Sequence, residues 1–102
     1  MLSINLIDQV LIEQDPEGLI KMGAPDDEYS SEAEKIYNRI ITENKKNIID
    51  YTSAVVFVFY EAFGSYSNEE GYFGYSWNYL NKYRVDKYKV IGKLIFELSN
   101  EK

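Results

Sequence analysis

Cysteine and histidine are both absent from the 102 residues of this chain. Without cysteine there is neither a disulfide framework nor a thiolate metal site. Without histidine the chain lacks the commonest general base and the commonest metal ligand. We therefore expect a fold that is stabilised by its hydrophobic core alone. The same absences predict that the protein is not an enzyme and holds no metal or other cofactor.

Basic residues near the N-terminus and long apolar runs are also lacking. No lysine or arginine precedes Lys21, so the first residues do not form the basic region of a signal peptide. The longest apolar run is about half of the roughly 20 residues that a membrane-spanning helix requires. The length suits one domain, residues 1–102, with a core of its own. Together these features predict a cytoplasmic, single-domain protein without a membrane partner.

Charge is the first feature that the chain has in excess, with a net value of −6. Residues 13–34 contain eight acidic residues and one basic residue, Lys21. This block would repel phosphate backbones, which argues against direct nucleic-acid binding, and would attract a basic protein. Its densest part, Asp26-Asp27-Glu28, lacks the alternating ligands of a calcium loop. The block is therefore a solvated loop or part of a partner-binding surface, with a metal or catalytic site as the remaining alternative.

The most apolar stretch is residues 47–64, and two structures compete for it. A strand fits residues 54–60, which are rich in β-branched and aromatic side chains. A helix capped by Asn47 and ended by Gly64 fits the whole stretch. Its core-facing stripe would consist of Ile48, Thr52, Val55, Val56, Phe59 and Phe63. We predict the helix, and a strand at 54–60 within an α+β fold is the alternative.

Apolar residues at three- and four-residue spacing predict three further helices. The first covers residues 3–14, with Ser3 as its cap. The second begins at Ser31-Glu32-Ala33-Glu34, which matches a capping box. The last extends from Asp86, its predicted cap, to Leu98. With the central helix, they predict an all-α fold, a compact bundle of about four helices.

Aromatic residues are concentrated between the third and fourth predicted helices, where residues 60–83 include nine of them. Three glycines break the first part into loop, and a helix is predicted from Ser76, with an aromatic hairpin as the alternative. Tyrosine and tryptophan provide large contact areas at low entropic cost, so this segment is a core rim or a protein interface, with a small-ligand pocket as a third alternative. The candidate partner-binding residues are Asp26, Asp27, Glu28, Tyr29, Tyr66, Glu69, Glu70, Tyr72, Tyr75 and Trp77.

Short motifs within residues 12–40 carry a resemblance to a known family. They are Asp15-Pro16, Gly18, Glu28-Tyr29 and Glu34, which precedes an apolar helix. These residues resemble a small uncharacterised Bacillus-type family that is often called YugE-like. The segment Glu61-Ala62-Phe63-Gly64 is similar to one that follows the third helix of that family. The resemblance implies a compact fold of about four helices and no known chemistry.

Two functions follow as hypotheses. The first is a binding module, an immunity or inhibitor protein that neutralises a basic toxin such as a nuclease. Small acidic helical proteins are similar, as a class, to the immunity proteins of bacterial toxin systems. The second is a structural role in which the tyrosines join two copies of the chain into a homodimer and the acidic block only maintains solubility.

Overall fold

The computed structural model describes residues 1–59, 61–62 and 73–100, and for residues 73–85 it describes the backbone. Within these ranges the chain forms α-helices and one 3-10 helix, and contains no strand. The elements are α1 (Ile4–Gln14), the 3-10 helix (Asp26–Tyr29), α2 (Ser30–Thr42), α3 (Ile48–Phe59) and α4 (Phe73–Ser99). The all-α prediction is confirmed. The strand alternative is wrong, because the chain is helical from Ile48 to Phe59.

The four α-helices surround one hydrophobic core. Helix α3 packs against α2 and α4, and α1 packs against the same two helices from the other side. Helices α1 and α3 therefore occupy diagonally opposite positions. The core consists of Ile7, Val10, Leu11, Tyr29, Ala33, Ile36, Ile40, Tyr51, Ala54, Val55, Val58, Phe59, Tyr88, Ile91 and Ile95.

Both ends of α1 are set by local sequence, as predicted. The Ser3 hydroxyl oxygen accepts a hydrogen bond from the backbone N–H of Leu6 at 3.1 Å, which caps the helix. The helix ends at Asp15, whose φ of 45° is in the left-handed region. Because a residue before proline is disfavoured in the right-handed α region, Pro16 enforces this end.

The capping box predicted at the start of α2 is wrong. The 3-10 helix leads directly into α2, no side chain caps the helix, and Ser31 lies inside its first turn. The Pro25 carbonyl accepts from the N–H of Glu28, and the Asp27 carbonyl accepts from the N–H of Ser30. These backbone acceptors extend the helical turn toward the N-terminus, so a side-chain cap at Ser31 has no role.

The buried side of α3 differs from the predicted stripe. Val55 is buried as predicted, but Ile48 is exposed. Val58, which is not part of the predicted stripe, is buried. Tyr51 accounts for the rotation of the helix, because its ring packs edge-on against Phe96 of α4 with the ring centroids 5.4 Å apart. The helix thus turns Tyr51 toward the core. The spacing of the apolar residues alone does not predict this orientation.

Helix α4 is one continuous helix of 27 residues, so the predicted start at Asp86 is wrong. Asp86 lies in the middle of the helix and is exposed. The helix predicted from Ser76 is confirmed, and the hairpin alternative is wrong for residues 73–83. Neither glycine nor proline interrupts residues 75–91, so nothing in the sequence separates the aromatic part from the last helix.

Gly92 of α4 allows a close approach to α3. A Cβ atom at this position would lie 2.7 Å from the Cα atom and 2.9 Å from the backbone nitrogen of Thr52. Backbone atoms cannot move away as a flexible side chain can. The distance between α3 and α4 therefore depends on the missing side chain.

We expect Gly92→Ala to lower the free energy of unfolding by about 1–3 kcal/mol, because the added methyl group overlaps the backbone of Thr52. At an open helical site the same change would stabilise by roughly 1 kcal/mol. Urea unfolding measures the difference, with Lys93→Ala as the exposed control in the same helix. A Gly92→Ala variant at least as stable as the wild type would contradict the close packing.

Candidate functional site

The turn that follows α1 winds around the carboxylate of Asp15. One carboxylate oxygen, Oδ1, accepts hydrogen bonds from the N–H of Ile20 at 3.0 Å and from the Tyr29 hydroxyl at 2.7 Å. The other, Oδ2, accepts from the N–H of Lys21 at 2.9 Å. A carboxylate at the end of α1 thus organises a turn that has no regular secondary structure of its own.

Tyr29 joins this turn to the core. Its ring is fully buried, and its hydroxyl oxygen accepts from the N–H of Glu17 at 3.0 Å and from the N–H of Leu19 at 3.4 Å. Gly18 and Gly23 have φ values of 70° and 103°, which allow the chain to curl around the hydroxyl. One phenol therefore links the 3-10 helix, the turn and Asp15.

The environment of this pair separates the pKa values of its members. Burial opposes ionisation of Asp15, but hydrogen bonds from Tyr29 and from the backbone N–H of Lys21 and Ile20 hold its pKa below the ordinary value of 3.8. Burial and the bond to Asp15 raise the pKa of the Tyr29 hydroxyl. The pair therefore consists of a carboxylate acceptor and a neutral phenol donor at neutral pH.

A second tyrosine attaches the same turn to α4. The Tyr88 hydroxyl donates to Oε2 of Glu17 at 2.6 Å. The ring of Tyr88 stacks on Phe59 with the centroids 5.2 Å apart, and Phe59 contacts the ring of Tyr29 at 6.0 Å. Three aromatic rings thus connect the two hydroxyl groups through the core. The turn is thus attached to the core by Tyr29 and to α4 by Tyr88, and the bond from Tyr88 positions Glu17.

Held in this way, the turn lies among acidic residues from α1, the 3-10 helix and α2. Asp8 of α1 interacts electrostatically with Asp26 and Asp27, and Glu32 of α2 interacts with Glu17 and Glu28. The 3-10 helix carries residues of both groups. We call this set the acidic surface; its members are Asp8, Glu17, Asp26, Asp27, Glu28 and Glu32.

Two members of the acidic surface resist ionisation. Burial raises the pKa of Glu32, which is 8 % exposed, and the charges of Glu28 and Glu17 raise it further against the opposing effect of Lys35. Burial also raises the pKa of Asp8, and one of its carboxylate oxygens is buried without a hydrogen-bond partner. Like charges are thus held close together by the fold.

Five members of the acidic surface form no ion pair in the described part of the chain, although the charge of Lys35 lowers the pKa of Glu32. The ion pairs there join Glu43 to Arg39 at 2.6 Å and to Lys45 at 3.3 Å, at the far end of α2. The five members without an ion pair to any described side chain are those contributed by the three helices: Asp8, Asp26, Asp27, Glu28 and Glu32.

The predicted site residues have different outcomes. Asp26, Asp27 and Glu28 are exposed and lie together, on a 3-10 helix rather than in a loop. The prediction that Tyr29 contacts a partner is wrong. Its side chain is fully buried, because its ring completes the core and its hydroxyl binds Asp15, so it offers no contact surface. Tyr75 and Trp77 lie in α4, where the backbone is described. Outside the described residues lie Tyr66, Glu69, Glu70 and Tyr72.

Asp8, Glu17 and Glu32 are members of the acidic surface that were not among the predicted site residues, although Glu17 and Glu32 lie in the acidic block of residues 13–34. Glu32 was assigned to a capping box, and Asp8 was given no role beyond its charge. A weak signal for Glu17 was its position beside Asp15-Pro16, where the chain must turn. Their proximity depends on contacts between distant segments, which spacing along the chain does not encode.

Two kinds of feature are absent from residues 1–59, 61–62 and 73–100. No group of three acidic side chains there is arranged to hold a metal ion. No helix in these ranges is long and apolar enough to cross a membrane. No family model, no curated protein and no solved structure matches the chain. The resemblance to the YugE-like family stays a prediction, and function must be argued from the acidic surface.

The role of Asp15 is testable through pH. We expect Asp15→Asn to lower the free energy of unfolding at pH 7 by about 1–3 kcal/mol, because three donors lose a charged acceptor. A lowered pKa means that this stabilisation is complete above pH 3.8 and is lost as pH falls through the folded-state value. Urea unfolding across acidic pH should therefore show the two proteins converging. A difference that is independent of pH would contradict this role.

Glu32 should behave in the opposite way. A raised pKa means that the fold favours the neutral carboxyl, so this contribution to stability is complete below the ordinary value of 4.5 and is lost as pH rises through the folded-state value. We expect Glu32→Gln to stabilise the protein by about 0.5–2 kcal/mol at pH 7 and by less at acidic pH. The control is Glu34→Gln, an exposed change in the same helical turn. A melting temperature of Glu32→Gln below that of the wild type at pH 7 would contradict the claim that the fold opposes ionisation of Glu32.

Proposed function

We propose that this protein is a binding module whose acidic surface binds a basic protein. The observation that carries the proposal is that Asp26, Asp27 and Glu28 are exposed together on the 3-10 helix, beside Asp8 and Glu32, whose pKa values burial and neighbouring acids raise. Carboxyls whose pKa is shifted by burial and by neighbouring charges are more frequent at functional sites than elsewhere. Lysine or arginine side chains of a partner would offset the repulsion between these carboxylates, so ion pairs that the free protein lacks would stabilise the complex.

The accessible part of the acidic surface suits recognition of a protein. Asp26, Asp27 and Glu28 are exposed on a helical turn that the buried ring of Tyr29 anchors to the core. Because the backbone of this turn is already ordered, little backbone freedom is lost there when a partner binds. Their combined field would also raise the rate at which a cationic partner approaches in the correct orientation.

In its most specific form, the proposal is that the protein is a cytoplasmic immunity or inhibitor protein that neutralises a basic toxin such as a nuclease. Nucleases bind polyanions, so their active surfaces are basic, and an acidic protein surface complements them. An inhibitor of this type requires no catalytic group of its own. It requires a rigid surface of the correct charge, which the Asp15–Tyr29 pair and the Tyr88–Glu17 bond support.

The test separates the position of the charges from their number. The acid-surface variant combines Asp26→Asn, Asp27→Asn and Glu28→Gln, and the control combines Glu61→Gln, Asp86→Asn and Glu97→Gln, which are exposed residues elsewhere. Both variants lose the same net charge. For a partner captured on the wild-type protein, we expect the acid-surface variant to associate about tenfold more slowly at low salt. The control should retain most of the wild-type rate.

Surface-immobilised binding kinetics at several salt concentrations measure these rates. The wild-type advantage should shrink as salt screens the charges. The inhibitor role has its own readout, which is survival of cells that express the captured partner together with the wild type or with either variant. Equal association rates for the two variants at low salt would overturn the acidic surface as the binding site. A partner whose expression alone is harmless would overturn the immunity role.

A further inference from the structure

Two carboxyls of the acidic surface lie in positions that suit a neutral acid better than a carboxylate. One is Asp8, whose Oδ1 atom is buried without a hydrogen-bond partner in the described part of the chain. The other is Glu32, which is 8 % exposed and forms no ion pair with a described side chain. Burial penalises the ionised form of both groups, and the missing donor adds to this penalty at Asp8. The fold therefore favours a bound proton at these two places.

The exposed acids of the 3-10 helix act on Asp8 from outside its own helix. The negative charges of Asp27 and Asp26 add to the effect of burial, which is the larger cause of its raised pKa. These two acids are exposed, so a basic side chain of a partner can reach them. The state of Asp8 is thus coupled to what binds at the 3-10 helix.

Glu32 experiences charges from its own helix, from the 3-10 helix and from the turn. Burial is the largest effect and raises its pKa, and the charges of Glu28 and Glu17 add to it. A hydrogen bond from its own backbone N–H and the charge of Lys35 act in the opposite direction without reversing the shift. The cation that this chain supplies therefore leaves part of the penalty in place.

A proton and a basic partner reduce the same repulsion. A cationic side chain beside the exposed acids of the 3-10 helix would make ionisation of the two buried carboxyls easier, so binding of the partner would expel protons. By linkage, a proton bound at either carboxyl lowers the affinity for the partner by the same factor. Two ligands that weaken each other in this way compete for the protein.

We infer that protons compete with the basic partner for the acidic surface, so that the complex forms at neutral pH and dissociates as the solution becomes acidic. The inference rests on the proposed function, because it concerns the regulation of the same surface. The affinity is constant at pH values where both carboxyls are ionised in the free protein, and it falls as pH decreases through their folded-state pKa values. Because these values are raised, the fall begins at a higher pH than for ordinary carboxyls.

A short, fluorescently labelled arginine peptide is a suitable probe, because the guanidinium group stays charged at every pH of the test. Fluorescence anisotropy at low salt measures its dissociation constant between pH 7 and pH 5, with circular dichroism as a check of folding. We expect the wild-type affinity to fall about fivefold over this range, because a one-unit difference in the pKa of one carboxyl between the free and bound protein is worth up to tenfold. The buried-acid variant, Asp8→Asn with Glu32→Gln, should change by about twofold at most.

The control replaces two exposed acids that are not members of the acidic surface, Glu34→Gln with Glu61→Gln, and should keep the wild-type pH dependence. Calorimetry in buffers of different ionisation enthalpy should detect protons released when the peptide binds to the wild type at pH 5.5. Wild-type and buried-acid proteins with the same pH dependence, or binding without proton release, would overturn the inference.

The same peptide separates this failure from a failure of the proposed function. At pH 7 we expect the acid-surface variant to bind it more weakly than the charge-matched control of that test, because position and not only net charge determines the attraction. Equal affinity of those two variants would overturn the acidic surface as the binding site, and the inference with it. A difference between them, combined with a wild-type affinity that is the same at pH 7 and pH 5, would overturn the competition alone.

Discussion

The hydrogen bond from the Tyr29 hydroxyl to the Asp15 carboxylate is the constraint on which the acidic surface depends. Pro16 ends α1, and the chain then turns without forming a regular helix. The Asp15 carboxylate and the Tyr29 hydroxyl supply acceptors for four backbone N–H groups of that turn. A charged acceptor makes these bonds stronger than bonds between neutral groups. The turn is thus ordered by side chains, and Glu17 is positioned by the same contacts.

Carboxylates in this small region have opposite roles because their surroundings differ. Asp15 is surrounded by donors, so ionisation stabilises the fold and its pKa is lowered. Asp8 and Glu32 are partly or largely buried beside other acids, so ionisation opposes folding and their pKa values are raised. One carboxylate builds the turn, and the others store unfavourable electrostatic energy that a basic partner could release. This division is the physical basis of the proposed binding function.

The sequence predicted the elements whose signals are local. The Ser3 cap, the end of α1 at Asp15 and the helical character of the central stretch follow from capping chemistry, proline geometry and spacing. A signal that is compatible with two local structures led to a wrong prediction at Ser31. The residue fits a capping box, but it lies inside α2, which continues from the preceding 3-10 helix. Tyr29 was taken as a contact residue because its burial depends on helices distant in sequence. The members of the acidic surface meet only through such tertiary contacts.

A double-mutant cycle on Tyr29→Phe and Asp15→Asn tests the central constraint most directly. The free energy of unfolding in urea is measured at pH 7 for the wild type, both single variants and the double variant. If the hydroxyl and the carboxylate act as one unit, the double variant loses less than the sum of the single losses, with a coupling energy of about 1–3 kcal/mol. Losses that add within about 0.3 kcal/mol would show that the two groups act independently. That result would contradict the account, because the acidic surface would then rest on some other contact.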